Sequence, residues 1–242
     1  MRSLLLLTLV AILPCCSPVA GPSGSSSHGG LDEWGNRPGP QGFRTVIIDA
    51  GHGGHDSGAV SRHTGQKEKD LTLDLAKRLR SELGSSFRTV MMRDNDRFVD
   101  LDDRVAFANR YPDAILVSLH FNAGPSHLSG PETYYWRVDS HGLAVRCHKA
   151  MKSLASDSRS RKMVRRRLRL TRNPGIPCLL LEGGYLSNAQ EARKIASPAY
   201  RQKLAENIAS AIRSQSAHGD AGTGARPAFI KAPPSRPTDA PE

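Results

Sequence analysis

Three short apolar runs in this chain lead directly into ionisable residues, and they restrict its fold more than any other feature. Ala114 to Leu119 (AILVSL) runs into His120, and Pro177 to Leu181 (PCLLL) runs into Glu182-Gly183-Gly184. Thr45 to Ile48 passes through Asp49 into Ala50-Gly51-His52-Gly53-Gly54. Runs of this length without polar alternation suit strands buried on both faces. Each would present a polar side chain at its carboxyl end, where the ligand crevice of an open α/β sheet lies.

Helical patterns separate these runs. After Glu68, Leu71, Leu75, Leu79 and Leu83 recur every four residues, so a helix with one apolar face opens at Glu68. Asp100 caps a second helix carrying Leu101, Val105 and Ala108, with Asp103 at the capping-box position. Residues 140–154 form a third. Asn188 with Glu191 reads as a capping box, and Ser197-Pro198 opens a helix bearing Tyr200, Leu204, Ile208 and Ile212. Residues 87–92 and 132–137 read as strands, the latter nearer an edge. Residues 165–170 alternate basic and apolar residues, as a half-exposed strand does. Strands alternating with helices predict a single α/β domain over residues 43–214, its sheet covered on both faces.

The flanks differ in character. Arg2, the apolar run Leu4 to Leu13 and Pro14-Cys15-Cys16 have the layout of a signal peptide over residues 1–20, which predicts export to the cell envelope. That run is too short to span a membrane as a mature helix. Two processing routes fit: lipidation of Cys16, giving a lipid anchor, or cleavage after Ala20. Residues 21–42 read as a flexible linker and 215–242 as a disordered tail, from their Ser, Gly, Pro and Ala content. Cys147 and Cys178 sit among apolar neighbours and read as buried free thiols. The formal charge of +11 favours an acidic partner. Nucleic acid is not expected, because the basic run 161–169 lacks interleaved aromatics and follows an export signal.

The polar residues at the strand ends form a chemical set. A catalytic zinc site uses three protein ligands and one open position, and His52, Glu68 and His120 supply two imidazoles and a carboxylate. Glu68 at a helix start is favoured as the carboxylate that binds metal. Glu182 is left over as a general base and acid, able to accept a proton from water and return it to a leaving amine.

The segments IIDAGHGGHDSGAV, GQKEKDLTLDLAKRL, RDNDRFVDLDDRVAFAN, SLHFNA and PCLLLEGGYLSN resemble, in order, the motifs of the zinc-dependent N-acetylmuramoyl-L-alanine amidases of the third amidase family. The resemblance runs from about residue 44 to 213. It implies a twisted, mixed six-stranded sheet flanked by helices on both faces. It also implies Zn2+ on His52, Glu68 and His120, catalysis by Glu182, and peptidoglycan as substrate, cut between N-acetylmuramic acid and L-alanine. Some larger relatives carry an inserted helix that plugs the site. None is expected here, because strand, helix and strand account for the segment between His120 and Glu182. A monomer is expected.

Other polar residues have both chemical and structural readings. Asp49 either orients a ligand histidine or bonds the loop backbone. Asn122 and Arg93 are candidate substrate contacts, with Arg97 and Arg104 as further candidates or as ion-pair partners of the aspartates between 94 and 103. His55 and His63 read as exposed loop residues.

Overall fold

The computed structural model describes residues 37–154 and 162–228. The expected signal peptide over residues 1–20, with Cys16, lies outside the described residues.

Six strands form one sheet: β1 (Thr45–Ala50), β2 (Arg88–Met91), β3 (Ala114–Asn122), β4 (Glu132–Tyr135), β5 (Met163–Arg165) and β6 (Cys178–Tyr185), in the order β2-β1-β3-β6-β4-β5. The neighbours pair parallel except β4 with β6, which are antiparallel, so the sheet is mixed. The helices are α1 (Glu68–Leu83), α2 (Leu101–Ala108), α3 (His141–Lys152), α4 (Arg169–Arg172), α5 (Ala189–Ala196) and α6 (Pro198–His218).

The alternation of side chains along the strands sorts the sheet into two unequal faces. On one face Val46, Ile48, Ala50, Ile115, Val117, Leu119, Phe121, Leu179 and Leu181 bury against the apolar sides of α1, α3 and α6. On the other, Ile47, Leu116 and Cys178 pack with Ala108, Leu170 and Ile176, and α2 and α4 cover them. Those two helices are short. Toward the carboxyl ends of β1, β3 and β6 the second face therefore carries polar residues, Asp49, Ser118, His120 and Glu182, and antiparallel β4 adds Glu132 and Tyr134 beside them by strand register. That half-covered face is where the site lies.

Several local expectations need correction. The basic-apolar alternation at 165–170 is not a strand. β5 ends at Arg165, and the Thr171 hydroxyl then accepts from the Leu168 N–H (3.1 Å) and donates to the Arg166 carbonyl (2.7 Å), turning the chain into α4. β4 lies nearer an edge as expected, one strand in from β5, which takes the edge itself. Asn188 caps α5, accepting from the Gln190 and Glu191 N–H groups, but Glu191 turns away to receive the Tyr185 and Gly130 N–H groups. The capping box is therefore open on one side.

The described parts of the flanks are ordered too. α6 runs to His218, past the expected boundary at 214, because Gln215 is fully buried between Arg146 and the Pro40 carbonyl. Asp220 receives the Gly39 N–H at 2.8 Å, and the Gly42 N–H reaches the Ser216 carbonyl at 2.8 Å. Residues 39–42, expected as linker, are thus tied to the end of α6. Cys147 and Cys178 are free and buried, on opposite faces of the sheet, and burial pushes the Cys147 thiol up to about 12. No helix among the described residues is long and apolar enough to cross a membrane.

Candidate active site

β1 delivers His52 into a loop that the backbone alone does not favour. His52 has φ 61, in the left-handed region that branched or bulky residues avoid, with Gly53 and Gly54 also at positive φ. Reciprocal bonds between Gly53 and Asp56 close the turn, and the Arg104 guanidinium donates to the His52 carbonyl at 2.9 Å. Strain at such a position signals function once surrounding contacts enforce it.

Glu68 stands at the first position of α1, where the helix dipole favours its charge. Its Oε2 receives the Ala59 N–H at 2.9 Å, and its Oε1 receives the Phe121 N–H at 3.0 Å. Oε1 also lies 3.1 Å from both His52 Nε2 and His120 Nδ1, and the two imidazoles meet edge to face with centroids 5.0 Å apart. Burial opposes charge at Glu68, yet the two histidines hold its carboxyl well below the usual range. Burial likewise opposes charge on His52, but Glu68 and Asp56 outweigh it and push the imidazole up to about 9.

The donor set fits a divalent metal. One ligand atom from each of His52, Glu68 and His120 falls within 4.8 Å of the others, and all three residues are buried. Two glycines make that convergence possible. A Cβ on Gly51 would lie 2.2 Å from the His120 ring, and one on Gly58 would lie 2.6 Å from His52 and 2.7 Å from Glu68. Two imidazoles and a carboxylate are the ligand chemistry of catalytic zinc.

Glu182 reaches the same face from the neighbouring strand. It is half-buried and sits in register with His120 on β3 and with Glu132 on β4. In strand order His120 lies between His52 and Glu182. On the far side, a cavity of about 220 Å³ opens beside His52 and His120, walled by Phe98, Val99 and Leu101.

The sequence matches the N-acetylmuramoyl-L-alanine amidase family model over residues 46–214, well over half of the chain. The chain belongs to this amidase family. Among curated relatives, YqiI of Bacillus subtilis (strain 168), an uncharacterized protein, is 35% identical over 185 residues, covering 71% of this chain and 84% of the relative. The N-acetylmuramoyl-L-alanine amidase LytC of the same organism is 32% identical, covering 68% of this chain but only 34% of the relative. The chain thus spans about a third of LytC. Among solved structures, the N-acetylmuramoyl-L-alanine amidase from Clostridium difficile 630 superposes with TM-score 0.67 at 33% identity, covering 72% of this chain and 97% of that one.

Within this amidase domain two expected contacts resolve differently. Arg93 does not face substrate: it is 1% exposed, and its guanidinium donates to the carbonyls of Ala50, Gly51 and Lys69, each at 2.8 Å. It ties the loop after β1 to the start of α1. Asp49 makes no hydrogen bond to the His52 or His120 imidazole. It is fully buried, pairs with Arg104 and receives the Ser118 hydroxyl at 2.7 Å, so it reaches His52 only through the Arg104 clamp on the backbone. Arg97 likewise donates inward, to the Met92 carbonyl.

Asn122 sits at the end of β3 on the groove face, donating to Glu132 Oε2 at 3.0 Å and receiving the Ala123 N–H at 2.8 Å. His55 is exposed and packs on Phe98 with centroids 4.2 Å apart, and His63 is also exposed.

Two residues escaped the sequence reading. Asp56 contacts His52 Nδ1 at 2.8 Å, four residues along the same loop. Glu132 lies across from Glu182 and gathers Asn122 and the Tyr134 hydroxyl. For Glu132 a signal existed: Glu132, Tyr134 and Trp136 alternate along one strand face. Asp56 had none, since loop spacing carries no periodicity.

Proposed function

We propose that this protein is an exported, zinc-dependent N-acetylmuramoyl-L-alanine amidase that cuts peptidoglycan between N-acetylmuramic acid and the L-alanine of the stem peptide. The observation that carries this reading is the convergence of His52, Glu68 and His120 beside a strand-borne Glu182, within a domain of the amidase family. Family membership supports a cell-wall amidase acting on the cell envelope.

Each residue then has a role. His52, Glu68 and His120 hold the ion, which when bound polarises the scissile carbonyl and makes water easier to deprotonate. Asp56 fixes the His52 ring by its Nδ1, leaving Nε2 on the metal side. Glu182 accepts a proton from the attacking water on a carboxylate oxygen and returns it to the departing L-alanine nitrogen. Arg93 and Arg104 keep the loop rigid, so the donor atoms stay preorganised rather than being gathered at the moment of reaction.

The test uses the full chain on purified sacculi, with products identified by mass. Free stem peptides with an L-alanine amino terminus are expected, and they disappear with a chelator and in Glu182→Ala. Cleavage inside the stem, or turnover unaffected by chelation, would refute the proposal.

A further inference from the structure

The groove wall opposite Phe98 carries a cation that the hydrolysis itself does not use. Glu132 and Tyr134 share the site face of β4. The Tyr134 hydroxyl donates to Glu132 Oε2, which also receives Asn122. The phenol is therefore held at its far end. Burial, Glu132 and Glu182 all press against its ionisation and raise it above the ordinary tyrosine range, so it stays a neutral hydrogen-bond donor.

Arg166 lies over that ring. Its backbone N–H bonds the Tyr135 carbonyl at 2.9 Å, which fixes its Cα beside β4, and its guanidinium carbon stands 5.8 Å from the Tyr134 ring centroid. The side chain is exposed, and among the described residues no carboxylate pairs with it. Arg165 and Arg169 of the same basic run are engaged elsewhere. Arg165 donates to the Trp136 and Ala228 carbonyls, and Arg169 pairs with Asp102. This cation–π contact with a pinned ring biases the Arg166 side chain toward the groove and leaves its N–H edges available for a bidentate anion.

We propose that Arg166 receives a carboxylate of the stem peptide and sets a preference for stems whose carboxylates are free rather than amidated. The inference rests on the amidase reading of the site. Its geometry suits the substrate. Crossing from Glu182 to β4 takes roughly 5 Å, and two residues along β4 add roughly 7 Å. An extended peptide spans that distance in about three residues. A carboxylate at the second or third stem residue reaches Arg166 while the first amide lies at Glu182. On the other side Phe98, Val99 and Leu101 offer such a group nothing, and Arg104 in the same cavity is committed to Asp49 and to the Ala50 and His52 carbonyls, so the charge on Arg166 also orients the substrate.

The experiment compares full-length wild type with Arg166→Gln and Arg166→Lys on three synthetic muramyl tripeptides: all stem carboxylates free, the second residue amidated, and the third residue amidated. The readout is the ratio of kcat/KM for free over amidated substrate, with KM and kcat resolved. Because the ratio is taken within one protein, a change in folded fraction cancels. Wild type is expected to favour the free form roughly tenfold at one position, through KM, as one charge-assisted pair at a partly exposed site allows. The ratio collapses toward one in Arg166→Gln and stays intermediate in Arg166→Lys. A wild type without preference, or an Arg166→Gln enzyme that retains it, overturns the inference while leaving the amidase reading intact. Failure of the wild type to release a stem from all three substrates overturns both.

Discussion

His52 sits in a left-handed conformation and is gripped from three sides: Asp56 at Nδ1, Glu68 at Nε2, and Arg104 at its carbonyl. Asp56 is the grip that can be loosened without disturbing the others. Asp56→Asn keeps the shape but removes the charge that orients the ring, and metal retention is expected to weaken roughly 10- to 100-fold. Competition of the loaded protein with a chelator measures this, and unchanged retention would show that Arg104 and Glu68 suffice. At this scale the sequence was readable where a residue type coincides with a strand end, as for His52, His120 and Glu182. It was not readable where burial decides the role. An arginine after a strand in an aspartate-rich loop looks like a surface cation, yet Arg93 is 1% exposed and spends its donors on backbone carbonyls. Exposure is a property of the folded surroundings, and Arg93 owes its surroundings to residues 43 positions away.

Among the elements, the junction between β1 and α2 carries a fully buried ion pair. Asp49 and Arg104 are 0% and 3% exposed, so each charge has lost its water and depends on the other. Arg104→Met leaves a buried carboxylate with only the Ser118 hydroxyl, and about 3–5 kcal/mol of stability is expected to go with it. Lys203→Met, which breaks the exposed, solvent-screened pair with Glu206 on α6, should cost far less than Arg104→Met. Urea midpoints of the two variants make the comparison, and equal losses would contradict the account. The long helices were legible because their period is sustained over many residues, and the three buried strands because short continuous apolar runs lead into polar residues. β5 and α4 were not, because three strand residues and one helical turn carry too little pattern, and Thr171 decided the matter by bonding the backbone on both sides of the turn. The end of α6 escaped for a related reason: Gln215 looks like a surface residue but is buried by contacts from Arg146 and Pro40.

For the whole molecule, the cluster of His52, Glu68 and His120 links stability to pH. In the metal-free protein His52 titrates near 9, above its ordinary 6.5, so its contribution is complete below pH 6.5 and is lost as pH rises through 9. Glu68 is held below its ordinary 4.5, so its contribution is complete above 4.5 and is lost only in strong acid. Urea midpoints of the chelated protein should therefore fall between pH 6.5 and 9, and a rise across that window would contradict the assignment. Metal requires the neutral imidazole, so in the same window uptake releases a proton and tightens with pH. The two sheet faces have a further consequence. α1, α3 and α6 seal one side, whereas α2 and α4 stop short on the other, so the groove rim belongs to neither packed core. Mutational tolerance should follow that division. Replacements at rim positions such as Phe98 and Arg166 exchange one solvent-facing group for another, so descendants of this chain can drift in which cell-wall chemistry they accept while the scaffold beneath stays under full selection.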